Sequence, residues 1–391
     1  MSQSTVLIDR FSKWQRLAGV IGIIGLIVTA AGFAFDRPQF FRSWLFSSLF
    51  WAGLSMGALG IYLMHAVVGG NWGAIIQRPL GAASRTIWIG GLMLAPIFLN
   101  LQLYYPWTRP EAAHDENLIL KAPYLNVPFF TARFIFYFAL WAFFAYRLSA
   151  LSAQVDSSGD KSLQVKMRRF GAPCLLVFLL TGTFAFFDWV MSMEPHWYST
   201  MYGGLYVIGQ ALAGLCFVVI LTARSADQPP FRDNLNMKLW HELGNMVLAF
   251  TMLWAYLAFS QLIIIWSGNL PEEIAWYLSR FTHGWGPVAW VVAVFDFCVP
   301  FFILLHRFVK KNPSLLVKVC IGLFIMRIVD VFWLSQPPLR PGFSVHWMDL
   351  TSFAGVGGIW LYFFFQNLKS RPLVPVHDPR LISNAQAAHH A

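Results

Sequence analysis

Residues Thr181–Gly204 read TGTFAFFDWVMSMEPHWYSTMYGG. The segment begins as the outer half of an apolar helix. It carries one carboxylate, Asp188, a little under two turns before the apolar run ends at Met193. A short polar connection follows, Glu194-Pro195-His196-Trp197-Tyr198, and a second apolar helix opens near Met201. A carboxylate at the centre of a membrane helix costs about 2.5–3.5 kcal/mol or more, so such a residue is a functional candidate by default. The arrangement recurs near the end of the chain. Asp330 sits in VCIGLFIMRIVDVFW, and Pro337 follows it at the spacing that separates Asp188 from Pro195. Gln336 stands where Glu194 stands. Two Asp-bearing helices with matching exits predict a protein built twice over.

Working outward, the composition is that of a membrane protein. Of 391 residues, 57% are hydrophobic and only 12% charged, about half the charge of a soluble domain. The 18 Trp suit interfacial belts and packed bundles. The net charge of +10 sits in the loops, where it reads as a topology signal and not as a nucleic-acid surface. The first apolar run is too long for a cleavable signal peptide and lacks a small-residue site after it. Cys174, Cys216, Cys298 and Cys320 each stand alone in an apolar run, with no CxxC or CxxCH. That spacing argues against zinc, iron–sulfur or c-type haem ligation in this chain and reads as packing.

A span needs roughly 20 apolar residues. Ten runs qualify, near 17–35, 44–68, 86–105, 128–149, 170–193, 201–223, 240–267, 284–306, 314–335 and 344–367. The expected fold is an all-α polytopic membrane protein. Its divisions are an N-terminus at 1–16, a peripheral first helix at 17–43, a four-helix bundle at 44–200, a second at 201–343, a peripheral tenth helix at 344–368 and a surface tail at 369–391. Helices 2–5 and 6–9 superpose in order, with Asn100-Leu101-Gln102-Leu103 matched by Ser260-Gln261-Leu262. Parallel repeats of this kind are a known membrane plan. Lys and Arg concentrate at the N-terminus, in 78–85, 147–169, 224–238 and 307–311, and after 369. These all fall on one side, so both termini are predicted to be cytoplasmic and Asp188–Trp197 to face outward.

On this topology the ionisable residues form a ladder. Arg133, Asp188, His196, His283, Arg327, Asp330, His346 and Asp349 lie toward the outer side, Asp296 near the middle, and His65, His241, Glu242 and His306 toward the inner side. A proton relay needs groups of this type at successive depths. The candidate relay is His65, Asp188, His241, Glu242, Asp296 and Asp330, with Arg133 and Arg327 tuning the carboxylates. Structural roles stand beside each. Arg327 and Asp330 share a helix face and can neutralise one another. Arg133 can snorkel or pair with Asp188. Glu194 and His196 can cap helix 6, and His65 can be a satisfied bundle histidine. Asp296 has no same-helix partner within four residues, so it needs one from another helix or a proton. Asp188, His196, Tyr198, Tyr202 and Tyr206, near Arg133, form a candidate quinone site, with polar groups beside aromatics at one membrane face. A secondary transporter and a purely structural anchor are the alternative functions.

GGNWGAIIQRPLGAASRTIW at Gly69–Trp88 and FFDWVMSMEPHWYSTMYGG at Phe186–Gly204, with the ten-helix plan, resemble the polysulfide-reductase-type (NrfD-like) integral membrane family. The similarity covers about 360 residues and is nearest to the F-type, second quinone-binding subunits of alternative complex III. The resemblance implies a multisubunit quinol:cytochrome c (or other acceptor) oxidoreductase in a bacterial inner membrane. It implies menaquinol or ubiquinol as donor. It also implies a paralogous C-type membrane subunit, with periplasmic iron–sulfur and multihaem cytochrome c subunits that carry the redox cofactors. For this chain it implies proton conduction, with no electron-transfer cofactor of its own.

Overall fold

The computed structural model describes residues 5–160 and 162–375. The chain is all-α, and no strand occurs among the described residues. Among the described residues nine helices are long and apolar enough to cross a membrane. They are α1 (Thr5–Phe33), α2 (Arg37–Val68), α3 (Asn71–Tyr104), α4 (Val127–Ser158), α5 (Ser162–Met193), α6 (Thr200–Arg224), α7 (Met237–Gly268), α8 (Gly286–Leu305) and α10 (Trp347–Lys369). Between the last two lies α9 (Pro313–Ser335), which has the length but carries Lys318, Arg327 and Asp330.

The helix starts follow local chemistry. Asp36, Asn126, Asn236 and Asn312 cap α2, α4, α7 and α9, each accepting from a backbone N–H two or three residues on at 2.9–3.0 Å. Proline occupies the first turn of α2, α4 and α9, where its missing N–H costs nothing. Gly159 ends α4 in the left-handed region at φ 65°.

The most buried spans are α2 and α6: 72% and 78% of their most apolar stretches are inside, against 28% for α7 and α8. They cross at glycine. A Cβ on Gly57 would stand 1.9 Å from the Gln210 carbonyl oxygen. Around this crossing α2 touches α3, α5 and α10, and α6 touches α5, α7 and α9. In addition α4 packs on α3 and α5, and α8 on α7 and α9. Helices α1 and α10 lie along each other. Gly22 and Gly25 meet Gly355 and Gly358 so closely that any Cβ there would strike backbone below 3 Å, the small-residue packing that membrane helices favour.

Three sequence expectations are corrected. Residues 69–85 are not a loop: helix α3 starts at Asn71, and Arg78 and Arg85 are buried in it. Polar Asn71, Gln77 and Arg78 hid its first turns from an apolar-run criterion. Helix α1 begins at Thr5, well before residue 17, because Leu7 and Phe11 continue the buried face against Phe365. The tail does not reach the surface at once, since Leu373 and Val374 are buried. Its remainder, 376–391, lies outside the described residues, as do residues 1–4 of the predicted N-terminus.

Candidate functional site

Arg133 sits about two turns into α4 and reaches Asp188 near the end of α5. Its Nε and Nη2 donate to the two carboxylate oxygens, both at 2.8 Å. Tyr137 Oη donates to the same carboxylate at 3.1 Å. The guanidinium also donates to the Tyr124 carbonyl and lies 3.8 Å from the centre of the Tyr124 ring. One cation meets one anion in bidentate geometry, and the cluster closes electrically.

The second half reverses the signs. Here the carboxylate, Asp296, comes from α8 and the guanidinium, Arg327, from α9, at 2.5 Å. Asp330, three residues on from Arg327, accepts from its other terminal nitrogen. Asp296 lies in a π-helical turn, Ala293–Cys298, a distortion often found at functional sites. Room for the guanidinium comes from Gly209 of α6, where a Cβ would stand 2.3 Å from Arg327 Nη2. The Trp254 ring faces the cation at 4.9 Å. All three charged side chains are at most 1% exposed. Among the described residues Asp296 Oδ1 and Arg327 Nε have no hydrogen-bond partner. Two carboxylates on one guanidinium leave either a net negative charge or a shared proton, and burial of an uncompensated charge favours the proton.

The matched exits of α5 and α9 do matching work. Glu194 accepts from Arg280 at 2.6 and 3.2 Å, and Gln336 accepts from Arg340 at 2.9 Å. Arg280 is fully buried, stacks on Trp276 and donates to the Leu334 carbonyl. Arg340 pairs with Asp349, which also accepts from Ser43 and from the backbone N–H of His346. The cap expectation for Glu194 and His196 is corrected. The α6 N-cap is Ser199, without a side-chain cap bond. His196 is exposed and faces Asp115 at 3.0 Å. His346, by contrast, caps α10.

The inner candidates are separate from these clusters. His65 is buried edge-on to Trp72 at 5.3 Å and lines a cavity of about 480 Å³ with Gln77, Ser152 and Arg168. His241 and Glu242 are half-buried in the first turns of α7, close to Lys310, Arg307 and Lys311. The candidate quinone residues do not gather round one cavity. Tyr198 is exposed, whereas Tyr202 and Tyr206 are fully buried. Tyr202 donates to the Leu334 carbonyl at 3.3 Å, and Tyr206 stacks on Phe186 at 4.4 Å.

A cavity of about 530 Å³ between α7, α8, α9 and the Pro271–Phe281 helix was missed by sequence reasoning. Ala255, Ala258, Ala289 and Ala293 make its room, Trp254, Trp276 and Trp333 its walls, and Asp330, Gln261 and Tyr277 its polar points. Exposed Tyr256, Phe259 and Phe281 stand among its lining residues. Alanines facing each other from two apolar helices were the available signal. Cys174, Cys216 and Cys320 are buried, while Cys298 is exposed and lines this cavity. The sequence matches no protein-family profile and no curated protein.

Proposed function

We propose that this chain is an integral membrane subunit of a quinol-oxidising electron-transfer complex of the alternative complex III type, and that its own task is to pass protons across the bilayer. In this reading α2–α5 and α6–α9 are two parallel four-helix bundles with α1 and α10 outside them. The membrane is a bacterial inner membrane with both termini cytoplasmic. The partners are a C-type membrane subunit and periplasmic iron–sulfur and haem c subunits.

The observation that carries proton conduction is the pair Asp296 and Asp330 on the single cation Arg327, sealed inside the helices. A site with one more carboxylate than cation exchanges a proton without separating charge. Its outward continuation is Tyr206, Tyr202 and the Arg280–Glu194 pair, with Glu194 reaching solvent. On the inner side His241 and Glu242 are the uptake groups of this half, while His65 and its cavity belong to the first half, off this path. Asp188, neutralised one-to-one by Arg133, holds α4 to α5 in this scheme. A quinone headgroup would approach the proton site through the 530 Å³ cavity, whose lining includes Asp330. That volume lies in the usual range of small-molecule sites, about 300–1,000 Å³.

The test is quinol-driven proton movement in vesicles holding the assembled complex, with Asp296→Asn beside the unaltered chain and haem content as the assembly check. Electron transfer that persists while proton movement falls supports conduction through this site. If both persist, Asp296 is a structural acid and the anchor reading replaces the relay. If no haem protein accompanies the chain, its membership of the complex fails and a secondary transporter becomes the better reading.

A further inference from the structure

Helix α8 stops at Leu305, and the chain forms a short helix, Arg307–Lys311, before Asn312 caps α9. Its sequence, RFVKK, spaces Arg307 from Lys310 and Lys311 by three and four positions, so three like charges share one side. Such pairs on a helix repel. The short helix packs on the start of α7. There the stem of Lys310 crosses Gly244, where a Cβ would stand 2.7 Å from Lys310 Cγ. The charges of Lys310, Arg307 and Lys311 all act on His241, one turn nearer the start of α7. Lys238, a further turn back, is exposed.

Two features distinguish this cluster from basic residues that only mark a membrane face. Lys310 is 8% exposed, yet among the described residues its ammonium donates no hydrogen bond and pairs with no carboxylate. Lysine is almost never buried unless paired, and a snorkelling lysine carries its head out into water. Glu242, the acid beside His241, likewise forms no ion pair among the described residues. The second feature is the surface next to the cluster. Phe302, Leu305 and Phe308 are exposed there, as is Met237 at the start of α7. A free anion makes no use of that apolar rim, whereas a phosphate carrying acyl chains uses both parts. Basic pockets between membrane helices bind such headgroups. We propose that Arg307, Lys310, Lys311 and Lys238 hold the phosphate of an anionic phospholipid, with its acyl chains along Phe302, Leu305 and Phe308. The phosphate relieves the repulsion within the short helix and ties the start of α7 to the link between α8 and α9. The inference is independent of proton conduction and of the complex, because binding is measured on the chain without turnover.

The experiment measures the full chain in an uncharged detergent at constant ionic strength, with phosphatidylglycerol, phosphatidylcholine or inorganic phosphate added in turn. Thermal unfolding is read together with native mass spectrometry of the retained lipid. Phosphatidylglycerol is expected to raise Tm saturably by about 2 °C or more and to stay on the chain as an adduct. Lys310→Met and, separately, Arg307→Gln/Lys311→Gln are expected to abolish both responses whatever they do to Tm itself. Lys166→Gln/Arg169→Gln, which removes two exposed cations of α5, should leave both intact. The proposal is overturned if phosphatidylglycerol has no effect, or if its effect survives in either site variant. It is equally overturned if the α5 variant loses the effect, which marks diffuse attraction, or if phosphatidylcholine or inorganic phosphate stabilises as well.

Discussion

Asp296 of α8 and Arg327 of α9 meet at 2.5 Å with both side chains sealed from solvent, and Asp330 takes the remaining arm of the same guanidinium. Among the described residues the corresponding pair of the first half, Arg133 and Asp188, has the opposite signs on its two helices and no third charged member. One half of the chain therefore holds a closed ion pair and the other an ion pair with a carboxylate to spare. This difference decides where a proton can reside.

It also sets the response to substitution. Asp188→Ala leaves Arg133 buried and unpaired, which costs about 3–5 kcal/mol. Asp330→Asn leaves the neutral Asp296–Arg327 pair intact and is expected to cost under about 1 kcal/mol. The double change Asp296→Asn/Asp330→Asn strands Arg327, so its cost should exceed the sum of the single changes by about 2 kcal/mol or more. Thermal or denaturant unfolding in detergent measures all three, and additive losses would contradict the shared-cation arrangement.

Proton movement should divide along the same line. Arg133→Lys with Asp188 retained keeps the charge balance of the first half and should leave the ratio of protons moved to electrons transferred unchanged. Asp330→Asn should lower that ratio with electron transfer maintained. Vesicle acidification recorded beside quinol oxidation tests both. A ratio that falls in the first variant and not in the second would reverse the assignment of the two halves.

The crossing of α2 and α6 predicts a steric result. Gly57→Ala drives a Cβ toward the Gln210 carbonyl at 1.9 Å, and both partners are backbone, so the helices must separate. A loss of about 1–3 kcal/mol is expected. Gly322 has nothing within 4 Å of its Cβ position, so Gly322→Ala should be neutral or slightly stabilising. Paired melts of the two variants check the packing directly.

A pH effect is expected outside the membrane. Arg10 donates to both oxygens of Asp227 at 2.8 and 3.0 Å, and the bond to Arg10 holds that carboxyl at about 2. A depressed carboxylate adds stability that is complete above its unfolded value of ~3.9 and fades as the pH falls through its folded value. The tie should therefore be constant above about pH 4 and be lost between about pH 4 and pH 2. The pair is mostly exposed, so its contribution is small. Carboxyl NMR of Asp227, with Arg10→Ala returning the midpoint toward its ordinary value, measures it.

The apolar runs located the helices because a span announces itself by length and hydropathy alone. The caps Asp36, Asn126 and Asn312, each one or two residues before a Pro, were a signal for helix starts that went unread. The likeness of the two exits was legible through Asp188 and Asp330, whose sequels Glu194 and Gln336 each receive an arginine. The first turns of α3 were not legible, since Arg78 and Arg85 look like loop residues until Asp156 and the Asn367 carbonyl are placed beside them.

The sequence by itself determined that this is a helical membrane protein and which charged residues stand inside apolar helices. These follow from local composition and spacing. Only the tertiary structure decided which charges meet, because a guanidinium and a carboxylate more than 30 positions apart are brought together by helix packing that no local signal encodes. It separated the balanced Arg133–Asp188 pair from the Asp-rich Asp296–Arg327–Asp330 cluster. It opened a cavity beside Asp330 where small side chains on neighbouring helices face one another.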